Sequence, residues 1–98
     1  MTTEKQITIT KSSKTVYQEF MSANTLGVTL EHNGFKGGDA GHGGFVKITI
    51  KDLSATAMHL NGEECSEFEL NFLGSTERQT LLDALKMIVE ELENNPYI

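Results

Sequence analysis

Apolar and polar residues alternate through much of this chain, and a period of two predicts strands. In residues 6–10, Ile7 and Ile9 alternate with Thr8 and Thr10. In residues 25–31, Leu26, Val28 and Leu30 alternate with polar positions, and in residues 45–51 Val46, Ile48 and Ile50 do the same. Residues 14–22 fit two templates. Val16, Tyr17, Phe20 and Met21 make a short helical face, while Val16 and Phe20 against Tyr17 and Met21 make a strand.

Residues 55–60 and 64–72 read as a further strand pair around Asn61-Gly62. Asn-Gly favours a two-residue type I′ turn. Parity favours a three-residue loop, 61–63, which pairs Leu60 with Glu64 and Thr56 with Phe68. The two-residue register would turn Ala55 and Ala57 inward, because a slip of one residue inverts the face of a strand.

The period then changes. Leu81, Leu82, Leu85, Ile88, Val89 and Leu92 recur at helical spacing and predict an amphipathic helix over about 76–93. Gly74, Ser75 and Thr76 break the preceding strand, and Thr76 with Gln79 has capping-box spacing. Asn94, Asn95 and Pro96 signal its end. Glu90, Glu91 and Glu93 crowd its last turn, where the macrodipole disfavours them by ~0.3–1 kcal/mol each.

The expected fold is α+β, an antiparallel sheet of four or five strands packed on one face by the C-terminal helix. Residues 1–98 make one domain. One helix leaves the other face of such a sheet bare, and a core this small gains from association, so a homodimer is expected.

Between the strands at 25–31 and 45–51 lies a glycine-rich loop, 32–44, holding six of the nine glycines. Such a run forms neither helix nor central strand, but it lets a ligand approach main-chain N–H groups. Phe35, Lys36, Gly37, Gly38, Asp39, His42, Gly43 and Gly44 are the candidate ligand-binding residues. Backbone amides would hold an anion, Lys36 would add charge, Phe35 would stack on a planar group, and Asp39 and His42 would orient it. The order GxxxxGK[ST] is missing and a strand follows the loop, so no NTP-hydrolysing site is expected.

Asp39, His42, His32 and His59 are metal-ligand types at spacings that match no zinc signature, and no metal or other cofactor is expected. In Asp39-Ala40-Gly41, Ala40 stands where a serine-protease nucleophile would be. His42-Gly43-Gly44 has the form of an esterase oxyanion motif, without a GxSxG elbow in the chain. Cys65, the single cysteine, sits among Glu63, Glu64 and Glu67, which disfavour a thiolate. A small metal-dependent or His/Asp-dependent hydrolase is the remaining enzymatic alternative.

Charge narrows the partners. The net charge is −6, and residues 53–98 carry nine acids against Arg78 and Lys86. No basic cluster is available to neutralise phosphates in series, so duplex nucleic acid is not an expected partner. No apolar run approaches the ~20 residues of a membrane span. The opening MTTEKQ is too short and polar for a signal peptide. With one cysteine, a cytoplasmic setting is expected.

The stretch GGDAGHGG followed by a β-rich strand resembles small uncharacterised bacteriophage and prophage proteins, best over residues 34–50. That resemblance implies a host-cell cytoplasmic setting and action by binding, as in blocking a defence protein or sequestering a nucleotide signal. Two readings follow. One is a non-enzymatic protein whose loop captures a small anionic or nucleotide-like ligand. The other is an inhibitor that contacts a host protein through the acidic C-terminal half.

Overall fold

The computed structural model describes residues 1–94. Five strands form the main sheet: β1 (Gln6–Ile9), β2 (Lys14–Met21), β3 (Thr25–His32), β4 (Phe45–Ser54) and β7 (Glu67–Leu73). Their order is β1-β2-β3-β4-β7, with every neighbouring pair antiparallel. Two short strands, β5 (His59–Leu60) and β6 (Glu63–Glu64), form a separate ribbon. The helix α1 (Ser75–Asn94) follows β7 directly. The expected α+β architecture is present, and the strand at 45–51 extends to Ser54.

The register sorts the side chains by face. Ile7, Val16, Leu30, Ile48 and Leu70 lie opposite one another across all five strands. Two residues on, the row is Gln18, Val28, Ile50 and Phe68. The opposite face carries Gln6, Tyr17, Thr29, Thr49 and Glu69. One face is therefore apolar and one polar, the pattern of an antiparallel sheet covered on one side. This settles residues 14–22 as a strand, because Val16 and Phe20 pair with Leu30 and Leu26 on the apolar face.

On the polar face Gly27 leaves room for its neighbours. A Cβ there would stand 2.9 Å from Tyr17 Oη and 3.2 Å from Leu53 Cδ1. The Tyr17 hydroxyl donates to Glu19 Oε2 at 2.9 Å, and this bond holds the phenol above its ordinary pKa.

The hairpin around Asn61-Gly62 corrects the expected register. Leu60 pairs with Glu63 and His59 with Glu64, a two-residue loop. Asn61 has φ 52° and Gly62 φ 82°, the positive values a type I′ turn demands. Residues 64–72 do not pair with 55–60 beyond His59–Glu64, so parity between those two segments does not set the loop length. Phe68, Leu70 and Phe72 instead find partners in Ile50, Ile48 and Val46 of β4.

The expected capping box is also replaced. Ser75 and Thr76 turn their hydroxyls toward the glycine loop, and Gln79 Nε2 donates to Asp83 Oδ1. The helix runs to Asn94; the stop signal at Asn95-Pro96 lies outside the described residues.

The helix meets the sheet mainly through β7 and β4. Val46, 7% exposed, is the most buried hydrophobic side chain among the described residues. Leu85 is 39% exposed and Leu92 72%. The apolar stripe is present, and its distal residues Ile88, Val89 and Leu92 are exposed among the described residues.

Candidate functional site

The glycine loop is ordered by the start of the helix. Ser75, only 2% exposed, accepts from the amides of Lys36 and Gly37 through its Oγ, at 3.0 and 3.1 Å. The Gly38 carbonyl accepts from the amide and hydroxyl of Thr76, at 2.9 and 3.0 Å. Gly74 lies against the loop backbone with φ 111°, and a Cβ there would meet the Asp39–Ala40 peptide at 2.7–2.8 Å. Only glycine meets both demands.

Asn33 closes the neck of the loop. Its Oδ1 accepts from the Phe45 amide at 2.9 Å while its Nδ2 donates to the Gly43 carbonyl at 2.8 Å. At the tip, Asp39 Oδ1 accepts from the Gly41 amide at 2.9 Å and caps a single 3-10 turn, Ala40–His42. His42 Nδ1 lies 3.4 Å from Asp39 Oδ1, with both side chains largely exposed. The His42 and Gly43 amides donate to the carbonyls of Asp39 and Ala40. Six loop amides, those of residues 34, 36, 37, 41, 42 and 43, are bonded inside the protein. An anion on the loop backbone would compete with those bonds.

Two adjoining depressions offer side chains instead. The first is an apolar cleft of about 280 Å³ between helix and sheet. Val28, Leu30, Val46 and Ile48 form its floor, and Leu81, Leu82 and Leu85 its wall. His32 and Arg78 are its polar members. Arg78 Nη1 is shielded from water and has no hydrogen-bond partner among the described residues. A desolvated cationic nitrogen without a partner is costly.

The second is a groove of about 240 Å³ between the β1–β2 turn and the start of the glycine loop. Lys11, Lys14 and Lys36 line it with Ser12 and Ser13. The ion pairs among the described residues are Asp39–His42 and Glu31–Lys47, so none of these three lysines has a carboxylate within 4.0 Å.

His32 belongs to both depressions. Burial, then the nearby charges of Arg78 and Lys14, lowers its pKa below the ordinary 6.5. Its Nδ1 accepts from the Gly34 amide at 3.1 Å, which fixes the neutral form with the proton on Nε2.

Of the eight residues expected to bind ligand, Lys36 lines the groove. Gly43 and Gly44 border a separate shallow depression with Phe45 and Lys47. Phe35, 74% exposed, lines neither cleft nor groove, and neither do Gly37, Gly38, Asp39 and His42. His59 stands apart on β5, and among the described residues no three His, Cys, Asp or Glu side chains converge as a metal site. Arg78 and Lys14 escaped the sequence reading because a helix and a distant strand bring them together. Arg78 did carry a signal, as a cation on the apolar stripe four residues before Leu82.

No family model matches the chain, and no curated protein or solved structure matches it. The functional reading therefore rests on the site.

Proposed function

We propose that this chain is a non-enzymatic binding protein for a small ligand with an apolar or planar body and an anionic group, a nucleoside monophosphate being the model. The observation that carries the reading is the junction at His32. An apolar cleft holding an unpartnered Arg78 opens there beside a groove with three unpaired lysines. The cleft takes the apolar body and the lysines take the anion. At about 30 Å³ of liquid volume per water, the cleft of about 280 Å³ has room for roughly nine waters, enough for a planar ring system such as a nucleobase. The charge comes from side chains, while the glycine loop shapes the groove and presents Lys36.

Capture of a small anionic signal fits the counter-defence setting that the GGDAGHGG resemblance implies, and that setting is part of the proposal. So is a homodimer.

Calorimetric titration tests the reading with nucleoside monophosphates, the matching nucleosides and inorganic phosphate. Saturable binding of a monophosphate is expected, with nucleoside and phosphate each at least tenfold weaker. Arg78→Gln and the Lys14→Gln/Lys36→Gln pair should each weaken it at least tenfold. Absence of saturable binding at millimolar ligand, or binding indifferent to these substitutions, would overturn it.

A further inference from the structure

We infer that the distal half of α1 and the uncovered strip of the sheet are the two halves of one homodimer interface, with the helix of each copy lying on β1 and β2 of the other. This gives a surface to the homodimer proposed above and does not depend on the ligand in the cleft.

Area comes first. The accessible surface is 7259 Å², against about 5,500 Å² for a folded monomer of this mass. The radius of gyration is 15.1 Å, against about 12.6 Å for a compact domain of this length. The excess surface, on the order of 1,700 Å², falls within the roughly 1,000–2,500 Å² that each protomer of an obligate dimer buries.

Where that surface lies is the second observation. On the sheet, Ile7 is 52% exposed and Ile9 73%, on the β1 edge of the apolar face. On the helix, Ile88, Val89 and Leu92 are exposed along the stripe. The chain thus carries a surplus apolar strip of sheet and a surplus apolar strip of helix. A two-fold axis lets each satisfy the other at once, as an isologous contact requires. A foreign helix would cover the strip of sheet but leave the chain's own helix bare.

Sedimentation equilibrium of the ligand-free chain tests the assignment. A dimer at 10 µM is expected. Ile7→Glu and Leu92→Glu should each weaken it at least tenfold, while Thr49→Glu on the polar face should leave it unchanged. Should either variant fail to fold, hydrogen exchange of the unmodified chain decides. Amides of residues 6–9 and 85–93 should gain protection between 0.5 and 100 µM. A monomer at 100 µM, a dimer indifferent to both substitutions, or protection gained elsewhere overturns the assignment. Ligand titration of the Leu92→Glu monomer separates this outcome from the fate of the binding site.

Discussion

His32 shows how one side chain reports on its surroundings. In the folded chain its Nδ1 is committed to the Gly34 amide, and burial beside Arg78 and Lys14 disfavours its charged form. Its folded pKa is therefore below the unfolded value near 6.5. Between those two values the unfolded chain binds more protons, so stability rises with pH there. The contribution is complete above pH 6.5 and is lost as pH falls through the folded value. Denaturation of wild type and His32→Asn across pH 4.5–7.5 should show a slope in the first that flattens in the second. The proposed anion would favour imidazolium, so its affinity should rise as pH falls toward the folded value. Little of this could be read from the sequence, where His32 was one of four scattered ligand types. Its role depends on Arg78, 46 positions away.

At the scale of elements, the loop and the helix start behave as one clasp. Ser75 Oγ satisfies two amides that are otherwise unpaired, so Ser75→Ala should cost about 1–3 kcal/mol. Urea denaturation reads the loss, and the 36–38 amides should lose exchange protection first. Unchanged stability would show that water replaces the hydroxyl without penalty. The helix and four of the long strands were legible because period alone reveals an element whose apolar side is fixed. Residues 14–22 were not, since Val16, Tyr17, Phe20 and Met21 serve both periods. The Asn61-Gly62 register was misread for a different reason. Turn chemistry pointed correctly to two residues, but a pairing partner was assumed from adjacency, and β7 crosses to β4 instead. The clasp itself was invisible: Ser75 and Thr76 looked like caps, and nothing local says that their partners lie about 38 residues upstream.

For the whole molecule, the proposed dimer would make association part of stability, because the internal core is small. A dimer that forms only from folded chains links unfolding to concentration by mass action. The thermal midpoint of the wild type should rise measurably between 1 and 100 µM, and that of Leu92→Glu should stay constant. A concentration-independent midpoint in both would show that the monomer is stable alone.

The clasp also sets an order of events during synthesis. The glycine loop leaves the ribosome long before Ser75 and Thr76 do, and until they emerge its amides at 36 and 37 lack their acceptor. The nascent loop therefore stays open to solvent and proteases after its flanking strands can pair. Chains truncated before residue 75 should be cut within 34–44, whereas the full chain should resist.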